Sequence, residues 1–367
     1  MSRPTGPGEH GSDARSADFV NGDVSFWYRG PGLPPVRPPL PGPTTTDVCV
    51  VGAGLTGLWT AYYLKSARPD LDVVVVEQEF AGFGASGRNG GWLTAALPGD
   101  AERYAATHGP EGVVAMQSQM FGAVDEVISV ARREGIDASI VKGGEIDVAT
   151  NAAQEERLRQ RVDAARRWGW REDDLVLLDR AGLDDRLRVD GARAGSWTPH
   201  CARIQPARLV RGLADAVERL GVRVFERTRV TGIRPGAAVT DRGTVTADHV
   251  VRATEGFTAQ LAGERRTWLP MNSSMVVTEP LTSATWERIG WQGYETLGDG
   301  AHAYVYAQRT ADDRIAIGGR GVPYRFASRG DDRGRTQEST VRALHRILCR
   351  LFPVVTDARI DHAWSGV

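Results

Sequence analysis

Residues 47–57 read DVCVVGAGLTG, and this stretch decides the fold of the chain. The apolar run at 48–51 predicts a buried strand, and the apolar residues at helical spacing after the glycines predict a helix. A second apolar run, at 73–76, ends at Glu77. Strand, glycine turn, helix and parallel strand in this order are typical of the opening βαβ unit of a dinucleotide-binding sheet.

The glycines of the turn, Gly52, Gly54 and Gly57, match the pattern GxGxxG. In such a turn the first glycine permits the tight bend, the second lets the backbone approach a pyrophosphate, and the third lets helix and strand pack closely. The unpaired N–H groups at the start of the helix attract the phosphates. Glu77 is placed to accept hydrogen bonds from a ribose 2′-hydroxyl, and its charge would repel the 2′-phosphate of NADP. The pattern predicts a dinucleotide site and leaves FAD and NAD as alternatives.

A second glycine-rich segment follows at residues 82–91, where GFGASGRNGG contains five glycines in ten residues. Glycine at this density lets the backbone approach a ligand closely. NAD needs no second glycine-rich wall beyond its ribose, whereas FAD does, because its pyrophosphate and isoalloxazine extend past the first turn. The segment therefore favours FAD, with a flexible surface loop as the alternative.

Composition excludes several classes of protein. The 367 residues carry a formal net charge of −1, which leaves no global positive field for a nucleic-acid backbone or an anionic membrane surface. Cys49, Cys201 and Cys349 lack the spacing of a disulfide framework or a zinc site, so no metal is expected. The chain start lacks the layout of a signal peptide, and no apolar run reaches the roughly 18 residues of a membrane span. We expect a cytoplasmic protein.

The sequence predicts an N-terminal arm and two interleaved domains. Nine of the 19 prolines precede Thr44, so residues 1–43 are expected to be mostly extended or disordered, with Phe26-Trp27-Tyr28 docking on the body. The expected fold is α/β, with a Rossmann-type FAD-binding domain at 44–140 and 200–262 and a sheet-rich substrate domain at 141–199 and 263–360. Helices are expected at 101–134, 152–168, 208–220 and 336–351, and strands at 222–225, 229–233, 244–246, 248–253, 274–279, 303–307 and 314–318.

Three further segments, VVRATEGFT at 250–258, MVVTEPL at 275–281 and IAIGGRG at 315–321, complete a family likeness. With the two glycine segments they resemble the FAD-dependent amine and amino-acid oxidoreductases of the D-amino-acid oxidase/glycine oxidase superfamily, above all its γ-glutamylputrescine oxidoreductase-like branch. The resemblance implies FAD as cofactor and a small amine or amino acid as substrate. Its C–N bond would be oxidised to an imine by hydride transfer to flavin N5, and dioxygen or another acceptor would reoxidise the flavin.

The resemblance also implies roles for individual residues. The first glycine turn would line the pyrophosphate and Glu77 would hold the adenosine ribose. The turn at 253–256 would close over the cofactor, with Glu255 at a position where the family often has Asn. The residues expected to contact FAD are Gly52, Gly54, Leu55, Thr56, Gly57, Glu77, Gly84, Ser86, Arg88, Asn89, Gly90, Val230, Thr254 and Gly256.

Candidates for substrate contact come from a later strand. Tyr304 and Tyr306 alternate onto one face together with His302, where they would wall a pocket, although ordinary sheet packing also explains them. Arg320 is a candidate for binding a substrate carboxylate through two hydrogen bonds, and a solvated or phosphate-facing arginine is the alternative.

The last residues depart from the family pattern. By resemblance, residues 361–367 are the truncated start of a C-terminal segment that covers the flavin, so weakened FAD affinity is expected. Two alternative functions remain open at this point: an NAD-dependent dehydrogenase, and a truncated flavin-binding protein without catalytic activity.

Overall fold

The computed structural model describes residues 19–302, 304–319, 324 and 332–367, which build two large sheets and one small one. The helices are α1 Leu55–Ala67, α2 Ala101–Arg133, α3 Ala152–Arg167, α4 Arg180–Asp184, α5 Pro206–Arg219, α6 Ser283–Ile289 and α7 Glu338–Leu351. The strands are β1 Val20–Asn21, β2 Thr44–Val51, β3 Val73–Val76, β4 Trp92–Thr94, β5 Glu145–Ala149, β6 Val176–Leu178, β7 Ala194–Thr198, β8 Cys201–Arg203, β9 Arg223–Phe225, β10 Val230–Arg234, β11 Ala237–Thr240, β12 Gly243–Arg252, β13 Ser273–Thr278, β14 Thr296–Asp299, β15 Val305–Arg309, β16 Ile315–Gly319 and β17 Ile360–Gly366.

The first large sheet contains the predicted βαβ unit. Its strand order is β10-β11-β12-β2-β3-β9, and β12, β2, β3 and β9 run parallel. Alternate residues of β2 and β3 point to opposite faces, so Val48, Val50, Val73 and Val75 pack under α1 and α5 while their neighbours pack on the other face. Parallel strands with helices packed against them confirm the α/β prediction. The carboxyl ends of such strands are free to form a site.

The second large sheet has nine strands within the described residues. Its order is β1-β17-β13-β16-β15-β14-β5-β7-β6. Helix α7 packs with α4 and α6 on one face, in a core that includes Ile146, Leu297 and Ile317. Residues that alternate with the core residues, such as Glu145, Asp147 and Tyr306, point to the opposite face. This sheet therefore has one core face and one face available for a ligand.

Two element predictions are wrong in detail. The segments at 244–246 and 248–253 form one strand, β12, because polar residues such as Asp248 are exposed on its outer face and do not interrupt its pairing with β2. Helix α2 is broken at Gly109, where φ is +73°, immediately before Pro110, because proline has no N–H to donate to the preceding turn. No helix of the described segments combines the length and apolarity that a bilayer crossing requires.

The aromatic cluster of the arm docks on the body, as predicted. Phe26, Trp27 and Tyr28 form a short 3-10 turn and are at most 9% exposed. Further along the arm, the buried guanidinium of Arg37 contacts Glu226 and Glu218. Strand β1 pairs in parallel with β17, which lies between β1 and β13, so residues 360–366 are part of the second large sheet.

Candidate functional site

A cleft opens where the parallel strands β2 and β3 end, and both glycine segments line it. Its volume is about 960 Å³ including its mouth, and we call it the glycine cleft. Of the residues expected to contact a cofactor, those that line the cleft are Gly52, Gly54, Thr56, Glu77, Gly84, Ser86, Val230 and Thr254. The carboxyl ends of parallel strands are where doubly wound sheets bind ligands.

The first glycine turn brings backbone, not side chains, to the cleft. Gly52 has φ of +107°, and a Cβ atom there would lie 2.5 Å from the Ala253 carbonyl oxygen. A Cβ on Gly57 would lie 2.0 Å from the Gly52 carbonyl oxygen, so this glycine lets α1 pack against β2 without itself lining the cleft. The Leu55 N–H, at the start of α1, donates to Ser86 Oγ at 2.8 Å and joins the two glycine segments.

Glu77 closes the first turn and faces the cleft. Its carboxylate accepts the N–H of Ala53 at 2.9 Å and the N–H of Glu79 at 3.0 Å. Burial raises the pKa of Glu77 from its ordinary value, and the two backbone N–H groups oppose that rise. Since a carboxylate offers about four lone-pair positions, acceptor capacity remains for the hydroxyls of a ribose.

The second glycine segment contributes Gly84, Ala85 and Ser86 to the cleft wall. Arg88 and Asn89, expected beside the flavin, also make contacts within the protein. Arg88 Nε donates to the Phe83 carbonyl at 2.6 Å, and its guanidinium carbon lies 4.4 Å from the centre of the Phe83 ring. Asn89 Nδ2 donates to the carbonyls of Ala85 and Ser86. These contacts fix the shape of the segment, and a direct contact with a cofactor stays a prediction.

Two other predicted glycines, Gly90 and Gly256, do not line the cleft. Gly90 is against the Tyr306 ring, since a Cβ there would lie 2.7 Å from two of its carbons. Gly256 lies in the 3-10 turn Glu255–Gln260, where a Cβ would lie 2.5 Å from the Val367 side chain. The turn at 253–256 therefore packs beside the last residues of the chain.

A second cavity, of about 1480 Å³ including its mouth, lies beyond Trp92 and against the free face of the second large sheet. We call it the aromatic cavity. His302, Tyr304 and Tyr306 all line it, and Trp92 and Trp170 line it as well. Strand β15 begins at Val305, so His302 and Tyr304 precede the strand on which they were expected. The segment from Gly84 to Trp92 connects the two spaces, because its first residues line the glycine cleft and Trp92 lines the aromatic cavity.

Strand register explains the position of Tyr306. Gly298 of β14 and Gly318 of β16 are the direct neighbours of Tyr306 across the sheet. A Cβ on Gly318 would lie 2.4 Å from the tyrosine ring, so the ring occupies space that a side chain would fill. The Tyr306 hydroxyl lies 2.6 Å from Ser273 Oγ, and burial raises the pKa of Tyr306 to about 12. The phenol is therefore a neutral wall of the cavity at physiological pH.

The floor of the aromatic cavity carries two carboxylates that sequence reasoning missed. Glu145 and Asp147 are alternate residues of β5 on the cavity face, and each is less than 10% exposed. Arg161 of α3 forms an ion pair with Asp147, and Thr94 Oγ1 donates to Glu145 at 2.9 Å. Burial and the Asp147 charge raise the pKa of Glu145 to about 7. The signal was the alternation in EIDVA, with acidic residues on one face of a strand and apolar residues on the other.

Arg320, the remaining candidate for substrate binding, lies outside the described residues. His200 and Cys201 have structural contacts. His200 Nε2 lies 2.8 Å from Asp174 Oδ1 and its ring stacks on Phe121, while Cys201 Sγ lies 3.3 Å from Thr296 Oγ1. In the described ranges no His, Cys, Asp and Glu side chains are grouped as three or more potential metal ligands.

Comparisons with a family model, with curated relatives and with solved structures agree with one another. The family described as "FAD dependent oxidoreductase" (DAO) matches residues 47–367. Gamma-glutamylputrescine oxidoreductase of Escherichia coli (strain K12) is 30% identical over 88% of this chain and 73% of its own length. A probable oxidoreductase, OrdL, of Rhizobium meliloti (strain 1021) is 29% identical over 93% of this chain and 77% of its own. The solved structure of glycine oxidase from Geobacillus kaustophilus superposes with a TM-score of 0.70 at 23% identity, covering 88% of this chain and 82% of that one, and shares the fold.

Proposed function

Because this chain belongs to the DAO family of FAD-dependent oxidoreductases, we propose that it oxidises a C–N bond of a small amine or amino acid to an imine. Water then hydrolyses the imine, and dioxygen or another acceptor takes the electrons. The names of the relatives support this substrate class, since they include a gamma-glutamylputrescine oxidoreductase and a glycine oxidase. A cytoplasmic location stays a prediction.

The observation that carries the proposal is that both glycine segments line one cleft, and that the second of them leads to the aromatic cavity. FAD fits this arrangement, because Gly52, Gly54 and Gly84 line the cleft with backbone and Glu77 retains acceptor capacity for ribose hydroxyls. In the proposed pose Glu77 accepts the adenosine ribose hydroxyls, the start of α1 faces the pyrophosphate, and Ser86 lies toward the flavin. NAD, the alternative cofactor, would leave the second segment without a ligand.

The same pose assigns one task to each domain. We keep the predicted division, with residues 44–140 and 200–262 binding FAD and residues 141–199 and 263–360 binding substrate. The expected role of residues 361–367 in covering the flavin also stays a proposal.

FAD, when bound, supplies the electron sink that accepts a hydride from the substrate carbon. The chain's own residues bind and orient the substrate. Tyr306 and Trp92 form a rigid wall where the two spaces meet, with their ring centres 6.2 Å apart. Glu145 and Asp147 face the guanidinium of Arg161. Asp299 and Arg157 add one charge of each sign to the cavity lining. In the described part of the lining the three carboxylates outnumber the two guanidiniums, so the cavity attracts a cationic ammonium group more than a carboxylate.

The experiment is anaerobic reduction of the FAD-loaded protein by a panel of candidate substrates. We expect simple amines, diamines or amino acids to bleach the visible absorbance of the flavin, while the matching N-acetylated compounds, which lack the cationic nitrogen, leave it unchanged. If the protein retains FAD and no amine or amino acid bleaches it, the proposed reaction is wrong and a flavin-binding protein without this activity is favoured. Reduction of added NAD by the colourless protein would favour the dehydrogenase alternative.

A further inference from the structure

We propose that residues 25–28 of the arm, which we call the N-terminal clamp, are a positioning element that holds the glycine-rich segment in the shape that binds FAD. This inference rests on the proposed placement of FAD against that segment. It assigns a role in cofactor binding to residues that do not line the glycine cleft.

The clamp binds the side of the glycine-rich segment that faces away from the cleft. Ser25 Oγ donates to the Gly87 carbonyl at 2.7 Å, Trp27 Nε1 donates to the Asn89 carbonyl at 2.9 Å, and the Tyr28 hydroxyl donates to the Gly82 carbonyl at 3.0 Å. Each bond spans more than 50 residues of sequence. Three carbonyls of one loop are therefore held by three side chains of one short segment.

The body of the protein completes this arrangement. Trp364 Nε1 of β17 donates to the Arg88 carbonyl at 2.8 Å, between the carbonyls that the clamp binds. The Trp364 ring lies 5.6 Å from Trp27 and 6.0 Å from Phe26, centre to centre. Gln205 Nε2, at the start of α5, donates to the Trp27 carbonyl at 2.6 Å. The clamp is thus anchored to β17 of the second large sheet and to the start of α5, and the glycine-rich segment lies between the clamp and the cleft.

Such anchoring matters because glycine-rich backbone loses much conformational freedom when it is ordered. A segment with five glycines in ten residues would otherwise be ordered by the cofactor itself, at a cost in binding free energy. Carbonyls held on one side fix the peptide planes, so Gly84, Ala85 and Ser86 are already in place on the other side. Removing one clamp bond is therefore expected to weaken FAD binding as well as the fold.

The test uses two substitutions that keep an aromatic side chain and delete one donor each, Trp27→Phe and Tyr28→Phe. Tyr28→Phe removes the hydroxyl alone, whereas Trp27→Phe also replaces the indole by the smaller phenyl ring. We expect each to weaken FAD binding about 2- to 10-fold, as for one lost hydrogen bond, and to change the visible circular dichroism of the bound flavin. The measurements are the FAD dissociation constant from quenching of flavin fluorescence and the urea midpoint of the FAD-free protein. Both are made without substrate, so they are independent of the amine-oxidation proposal.

Matched controls separate positioning from stability. Trp291→Phe deletes one buried bond, from Trp291 Nε1 to the Glu295 carbonyl at 2.9 Å, and Tyr62→Phe deletes the bond from the Tyr62 hydroxyl to Glu134 at 2.8 Å. Both sites lie away from residues 82–91, so the controls should lower the urea midpoint and leave FAD binding within 2-fold. The inference is overturned if clamp and control variants retain FAD equally well at equal urea midpoints. If the unaltered chain binds no FAD, the proposed cofactor site fails, and this inference fails with it.

Discussion

Glu77 combines a structural and a binding role in one carboxylate. It holds the first glycine turn through the N–H groups of Ala53 and Glu79 and still faces the glycine cleft. The sequence located this residue from its position after β3, but the two backbone contacts depend on the folded turn and were not predictable.

We predict that Glu77→Gln weakens FAD binding by about 10-fold or more, because hydrogen bonds to a charged group contribute about 1.5–3 kcal/mol. Glutamine has one acceptor oxygen, so it cannot serve both loop N–H groups and a ribose hydroxyl. The FAD dissociation constant measures the effect. Glu156→Gln, at an exposed position of α3, is the control, and equal FAD affinity of the two variants would contradict the assigned role.

Glu145 predicts a pH dependence for the proposed reaction. The groups that face it are Asp147 on its own strand, Arg161 of α3, Thr94 of β4 and Cys201 of β8. Since its pKa is raised to about 7, Glu145 is protonated as pH falls below that value and its attraction for a cationic amine is lost. We expect kcat/KM, which reports the free enzyme, to fall as pH decreases through about 7.

Glu145→Gln should remove this dependence and lower kcat/KM at higher pH by about 10-fold, the effect of losing one nearby charge. The measurement is kcat/KM against pH for an amine substrate. Glu156→Gln should follow the unaltered profile. A Glu145→Gln protein that keeps the same decrease below pH 7 would show that another group titrates.

At the scale of elements, the packing of α1 on β2 depends on Gly57. A Cβ there would meet the Gly52 carbonyl oxygen at 2.0 Å and a Val50 methyl at 3.1 Å. Neither can move freely, because the carbonyl belongs to the tight glycine turn and Val50 is fully buried in β2. We therefore predict that Gly57→Ala destabilises the protein by at least about 1–3 kcal/mol, as overpacking does.

The free energy of unfolding from urea titration checks this prediction. Gly122→Ala is the matched control, since Gly122 is an exposed residue within α2 with nothing within 4 Å of a built Cβ. We expect it to be neutral or to stabilise the protein by up to about 1 kcal/mol, because alanine favours helix. Similar losses in both variants would mean that crowding at Gly57 is unimportant.

Elements with strong local patterns were predictable from the sequence. Strand β3 at Val73–Val76, helix α5 and strand β16 lie within two residues of their expected bounds, because continuous apolar runs or helical periodicity define them. Strands β4, β5 and β8 were not foreseen. They have three to five residues, and their partners are distant in sequence, as with Trp92 and Arg203.

At the scale of the whole molecule, one face of the second large sheet carries both the floor of the aromatic cavity and the tryptophan that contacts the N-terminal clamp. A row of paired residues crosses it from Asp147 through Gly298, Tyr306 and Gly318. The row continues through Met275 to Trp364, beside the N-terminal clamp. The sequence suggested the tyrosines, but register between distant strands, which no local pattern encodes, brings Asp147 and Tyr306 together.

The central claim is that a single FAD extends from Glu77 along both glycine segments to Tyr306. A crystal structure of the chain with FAD bound tests it most directly. The account predicts continuous cofactor density with the adenosine ribose at Glu77, the pyrophosphate at the start of α1 and the isoalloxazine beside Tyr306. Density that leaves the glycine cleft before Ser86, or that places the isoalloxazine away from Tyr306 and the aromatic cavity, would contradict it.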